Sequence, residues 1–253
     1  AWQIMRPKMP NYVSPTIFQV AGKDQLLMAG CDVMSGFDPR TGRVIWECAG
    51  STTECVGTVV TTEGLVFASG GYPKHETLCV RADGSREILW RNRVKVYVPS
   101  LLADRGYLYA VTDNGVTYCW QARTGKEMWK GRLAGGFSSS PILAGGLIYI
   151  TSEFGRSPTE DGGGGRSHNA RGLSTVLMGG GIKGGMAYGS TDELGGAAVE
   201  NKVHVKDIHA TVLNRLGFDH EQLTFRTGGR DFRLTQPTRS LPQGGMPVQG
   251  ILA

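Results

Sequence analysis

With 253 residues, 40% of them hydrophobic and 19% charged, the chain has material for one large domain or two smaller ones, each able to bury a core. No apolar run approaches the roughly 18 residues of a membrane-crossing helix, so a helical membrane span is excluded. A net charge of +5 is modest, and the densest basic run, REILWRNRVKV (86–96), alternates apolar and basic residues as a strand with one solvated face does, so no nucleic-acid partner is expected.

The opening AWQIMRPKMP has neither an initiator Met nor the regions of a signal peptide, which suits a chain that has lost a leader or is a fragment. Cys31, Cys48, Cys55, Cys79 and Cys119 are odd in number and contain no Cys-x-x-Cys pair, which speaks against a disulfide framework and a zinc finger. They read as small buried hydrophobes. A Cys48–Cys55 bridge stays open for an exported protein.

From residue 14 the chain is periodic. SPTIFQVAGKDQLLMAG (from 14), TVVTTEGLVFASG (from 58), SLLADRGYLYAVTDNG (from 100) and SPILAGGLIYITSE (from 140) each run small residue, apolar run, polar turn, apolar run. Between them recur FDPRTGRVIWE (37–47), RADGSREILWR (81–91) and QARTGKEMWKG (121–131), and Trp46, Trp90 and Trp129 follow one another at 44 and 39 residues. Each unit predicts four short strands. The turns AGK, TEG, DRG and AGG close the first hairpin and RTG or DG closes a later one, because Gly accepts positive φ. The tryptophan ends the outermost strand, where it can pack between neighbouring blades. Four strands at this period mean a β-propeller.

The Asp-x-x-Thr-Gly-x-x-x-Trp form resembles the quinoprotein-type (PQQ-like) propeller repeat, also found in BamB-type outer-membrane-assembly lipoproteins. The resemblance covers about residues 14–152. It implies an exported, periplasmic or extracellular protein whose propeller binds a protein or polymeric ligand. No vicinal Cys pair is present, so no PQQ is expected. About three and a half blades are visible, and an arc that short must be incomplete, oligomerise or be capped by the rest of the chain.

After residue 152 the blade pattern stops. A glycine-rich loop carries Asp161 and His168, a short strand is predicted at STVLM (174–178), and apolar spacing at Val205, Ile208, Val212 and Leu216 predicts an amphipathic helix over 204–216 stopped by Gly217. GGGIKG (179–184) matches G-x-G-x-x-G in form but precedes no helix, so no dinucleotide is expected there.

EFGRSP, GRSHN, GGGIKGG, YGSTDELG with AVEN, VHVKDIHATVL with LGFDHE, and GRDFRLT resemble, in order, the C-terminal portion of a sulfatase-like domain of unknown function in the alkaline-phosphatase superfamily. That resemblance spans about 151–235, with an echo in the closing GILA, and implies a small α/β remnant over 153–253. By it, Glu153 and His168 are metal ligands, for zinc, manganese or calcium, and a working site would need a third acid, Asp161 or Asp207, beside them. Ser167 stands where the family usually has Asp, and the catalytic nucleophile's half of that fold is replaced by propeller repeat. The expected protein is mainly β: propeller repeats over 1–152, then the sulfatase-like segment over 153–253. Its expected role is a non-catalytic binding scaffold. The alternatives are a metal-dependent sulfatase or phosphatase and a chimeric or truncated product.

Overall fold

The computed structural model describes residues 2–133, 136–151, 154–239 and 241–253. Chain contacts divide it into two units, 1–141 with 150–153, and 142–149 with 154–253.

The first unit holds three four-stranded antiparallel sheets, one per repeat. The first comprises β1 (Thr16–Val20), β2 (Lys23–Gly30), β3 (Val33–Phe37) and β4 (Val44–Ala49) in that spatial order. The second comprises β5 (Val60–Thr62), β6 (Leu65–Gly70), β7 (Glu76–Arg81) and β8 (Ile88–Asn92), and the third β9 (Leu102–Asp104), β10 (Tyr107–Val111), β11 (Val116–Gln121) and β12 (Glu127–Arg132). These are propeller-type blades. Their first hairpins turn on Ala21–Gly22, Glu63–Gly64 and Arg105–Gly106, both residues of each pair at positive φ. That is the type I′ turn, whose twist matches a β-hairpin.

Blades stack face to face, and the middle one is buried on both faces. Val66, Ala68, Leu78 and Val80 pack with Leu27, Met34 and Trp46 of the first blade. The alternate residues Leu65, Phe67 and Cys79 pack with Leu108, Ala110 and Trp120 of the third. Period-two alternation sends successive side chains to opposite cores, which is why β6 is apolar or small throughout. All five cysteines are buried and free. Burial pushes the Cys79 thiol up to about 12, so it stays protonated and inert.

The basic run 86–96 forms only part of the expected strand, since β8 ends at Asn92. Its charges do reach the surface side: Arg91 and Arg93 are exposed, and Arg91 Nη1 meets Glu76 Oε1 at 3.2 Å.

In the second unit, β13 (Ile142–Ala144) and β14 (Leu147–Ile150) form the first hairpin of a fourth repeat, again on a two-residue turn, Gly145–Gly146. The strand beside β14 is β17 (Val176–Gly179), so a distant segment takes the place that the next strand holds in the other blades. Between them, β15 (Gly155–Arg156) and β16 (His168–Asn169) make a two-residue ribbon. Further along lie the ribbon of β18 (Ser190–Thr191) and β19 (Ala198–Glu200), the helix α1 (Val205–Arg215), and the ribbon of β20 (Phe225–Thr227) and β21 (Arg230–Phe232).

The structure supports the mainly β expectation and does not show the α/β remnant. Among the described residues this unit has one α-helix, one three-stranded sheet and short two-stranded ribbons, with no sheet layered by helices. The physical reason is its glycine-rich, mostly exposed sequence, which offers few apolar positions for a strand to bury.

Candidate functional site

The segment on which the metal expectation rested is held by its own loop. Glu153 lies outside the described residues. Across the β15–β16 ribbon, Arg156 stands directly opposite His168. The His168 ring lies against Phe154, with centroids 3.7 Å apart, and the Arg156 guanidinium sits 5.0 Å from the same Phe154 ring. The ring and the guanidinium thus share the one phenyl ring of Phe154. Gly155 is required here, because a Cβ would fall 1.6 Å from the carbonyl oxygen of Gly172.

Asp161 closes the loop between the two strands. Its Oδ1 accepts from the Gly163 amide at 3.3 Å and its Oδ2 from the Ser167 hydroxyl at 3.1 Å. These bonds, the Gly163 amide foremost, hold its carboxyl below the usual aspartate value. Ser167 thus serves as the partner of Asp161.

Asp207 is a helix cap. Its Oδ2 accepts from the His204 amide at 2.8 Å while His204 Nδ1 accepts from the Lys206 amide at 3.1 Å, which stabilises the first turn reciprocally. Its Oδ1 accepts from the Met246 amide at 2.9 Å. Both carboxylate oxygens are committed to backbone. Among the described residues no three His, Cys, Asp or Glu side chains gather as metal ligands would. The expected set of Glu153, His168 and either Asp161 or Asp207 includes a residue outside the described ones.

On the same helix, His209 Nδ1 is buried with no hydrogen-bond partner among the described residues. Burial, and then the charge of Lys206, push its pKa below the ordinary histidine value of 6.5. The folded chain keeps His209 neutral where the unfolded chain protonates, so the unfolded state binds more protons and stability falls as pH drops below about 6.5. Urea midpoints at pH 7.5 and 5.5 should differ in the wild type, and His209→Leu should narrow that difference.

An open cavity of about 510 Å³ is lined by Asn214, Phe218, Asp219, His220, Glu221 and Met246. Its chemistry is also committed to structure. Asp219 accepts from the Glu221 amide at 2.9 Å and from the Gln222 side chain at 2.7 Å, and His220 Nδ1 lies 3.0 Å from Thr235 Oγ1.

The repeated polar arrangement lies in the blades. Trp46, Trp90 and Trp129 face Gly36, Cys79 and Cys119 across their ladders, and each ladder shifts register at the next residue. The Trp90 indole crosses to the next blade, where its Nε1 donates to Ala122 O at 2.7 Å. Trp46 does so through a relay. Its Nε1 donates to Gln25 Oε1 at 2.7 Å, and Gln25 Nε2 donates to Ala82 O at 3.1 Å. Trp2 makes the same contact on the first blade, donating to Pro39 O at 2.9 Å. Pro39, Ala82 and Ala122 are equivalent, each two residues beyond its ladder's register shift.

Trp2 and Gln25 were absent from the sequence expectations. A signal for Trp2 was available: it precedes Trp46 by 44 residues, as Trp46 precedes Trp90. Nothing in the sequence marks Gln25.

BamB from Moraxella catarrhalis is 12% identical, with a TM-score of 0.45, and the match covers 62% of this chain and 44% of that one. Quinohemoprotein alcohol dehydrogenase ADHIIG from Pseudomonas putida HK5 is 14% identical, with a TM-score of 0.44, over 60% of this chain and 29% of that one. The computationally designed Ika4 protein is 11% identical, with a TM-score of 0.47, over 66% and 96%. The chain thus spans less than half the length of the BamB and dehydrogenase structures.

No curated protein matches it. Residues 139–243 match a family described as protein of unknown function (DUF1501). Residues 1–114 and 98–170, together 170 of the 253, match the family described as outer membrane protein assembly factor BamB, and the chain belongs to that family.

Proposed function

We propose that the chain is a non-catalytic, exported binding scaffold that receives extended polypeptide along its third blade. The observation that carries this reading is β12. It ends its sheet, in the order β12-β11-β10-β9, so among the described residues one of its edges has no strand partner in that sheet. Five of its six residues are exposed, Met128 and Trp129 among them. An edge strand with apolar side chains offers backbone donors and acceptors to an incoming strand, and the side chains supply further contact area. Membership of a family named for outer membrane protein assembly agrees with a polypeptide partner and with an exported location.

A metal-dependent sulfatase or phosphatase is the other reading of the C-terminal segment. The geometry favours it less, because Asp161 and Asp207 spend their oxygens on Ser167 and on backbone amides.

The test has two arms. A labelled ten-residue peptide of alternating apolar and polar residues should bind saturably in fluorescence anisotropy, and Trp129→Glu should weaken that binding about tenfold or more, equivalent to about 1.4 kcal/mol. Binding indifferent to Trp129→Glu, or none at all, removes the reading. In the second arm, p-nitrophenyl sulfate and phosphate are incubated with the chain and zinc, manganese or calcium. Hydrolysis that His168→Ala abolishes would establish the hydrolase instead.

A further inference from the structure

We propose that the cavity at the C-terminal end of α1 binds a primary ammonium group carried on an apolar stem, with His220 Nε2 as a hydrogen-bond acceptor for it. The inference stands apart from the third-blade reading, since every residue it uses belongs to the second unit.

Gly217, at a φ of +82°, stops α1, and the Phe218 amide donates back to Leu213 O at 2.9 Å, so the chain leaves the helix there. Asp219 Oδ1 then accepts from the Glu221 amide, which fixes the short turn carrying His220 and Glu221. Thr235 decides the His220 tautomer. It is 4% exposed, and its hydroxyl donates to His220 O at 3.1 Å while lying 3.0 Å from His220 Nδ1. A hydroxyl has one hydrogen. With that hydrogen on the carbonyl, Oγ1 can only accept from the ring, so Nδ1 carries the hydrogen of the neutral imidazole and Nε2 keeps its lone pair. Among the described residues, neither Nε2 nor the Glu221 carboxylate has a hydrogen-bond or ion-pair partner.

Both groups line the cavity of about 510 Å³, with Phe218 and Met246 as exposed apolar walls. Its lining holds two carboxylates, Asp219 and Glu221, and no Lys or Arg. The end of α1 adds the partial negative charge of a helix C-terminus. The Arg215 and Arg233 guanidinium groups lie nearby but are spent on Asn214 Oδ1 and Glu221 O. An occupant must therefore bring donors and positive charge. A guanidinium's planar fork suits one carboxylate taken as a bidentate pair, whereas an ammonium spreads three donors among separate acceptors. The separate acceptors here, an imidazole nitrogen and a carboxylate, select the ammonium, and Phe218 and Met246 select an apolar stem. A lysine side chain of a polypeptide and a free alkylamine both offer that chemistry.

Long-range proton–nitrogen NMR correlation of the imidazoles, with n-butylammonium titrated into the whole chain at about pH 8, tests the site. His220 should show the Nδ1–H tautomer, and its Nε2 resonance should move saturably while those of His75, His168, His204 and His209 move little. n-Butanol, which keeps the stem and loses the charge, should bind about tenfold more weakly or not at all. His220→Phe should abolish saturable binding. Should that variant fold poorly, Glu221→Gln changes an exposed side chain, keeps the His220–Thr235 pair, and should raise the Kd about threefold to fivefold. Tighter binding of acetyl-Gly-Lys-Gly-amide than of n-butylammonium assigns the site to a polypeptide lysine, and the reverse order to a free amine. An Nε2–H tautomer at His220, equal binding of n-butanol, a Kd indifferent to Glu221→Gln, or no saturable shift up to about 50 mM would overturn the proposal.

Discussion

Trp46→Ala is expected to cost about 3–5 kcal/mol of folding stability, and Trp129→Ala less than about 1 kcal/mol, although the two residues hold equivalent ladder positions. The difference comes from burial and from the hydrogen bond that Trp46 makes. Trp46 is 0% exposed within the core that joins the first and second blades, so its removal leaves a cavity lined by Leu27, Met34 and Leu78 as well as an unpaired Gln25 Oε1. Trp129 already faces solvent on one side. Urea unfolding of the two variants beside the wild type checks the contrast. Equal losses would mean that the third blade's outer face is covered in solution.

Gln25→Leu should destabilise by about 3–5 kcal/mol despite adding apolar volume, because three buried polar groups lose their partner, at about 1–3 kcal/mol each before any relaxation. Gln25 is 2% exposed, and its amide donates to Val20 O and Ala82 O while its carbonyl accepts from Trp46. The relay also makes a sharper forecast. Trp46→Phe removes the N–H that Gln25 accepts, so the double variant should cost less than the sum of the two single changes. Strict additivity in a double-mutant cycle would show that the two side chains are not energetically coupled.

Much of the first unit was legible before any coordinates. AGK, TEG and DRG mark two-residue turns because Ala21–Gly22, Glu63–Gly64 and Arg105–Gly106 must adopt positive φ, and each turn sets a hairpin register. The helix was legible too. Apolar spacing from Val205 and a glycine at 217 bracket α1 to within a residue at each end. The second unit's sheet partners were not. STVLM reads as a strand, yet its ladder neighbour is β14, reached across more than twenty intervening residues, and no local pattern states that pairing.

The candidate ligands show the same divide. An Asp and a His in a glycine-rich loop satisfy the residue chemistry of a metal site, and the loop's composition cannot tell a ligand from a capping group. Only the fold shows Asp161 bonded to Ser167, Asp207 bonded to two backbone amides, and His168 stacked on Phe154 opposite Arg156.

The sequence by itself determined the period, the turns and which tryptophan lies on each blade's last strand, because those depend on φ preferences and apolar alternation within a few residues. Tertiary structure alone decided which of those tryptophans are covered. Trp90 reaches a carbonyl on the following blade and Trp46 does so through Gln25, Trp2 caps the first turn, and Trp129 is left partly in solvent. Burial and hydrogen-bond satisfaction belong to pairs of segments about forty residues apart, and a one-dimensional pattern carries only one member of each pair.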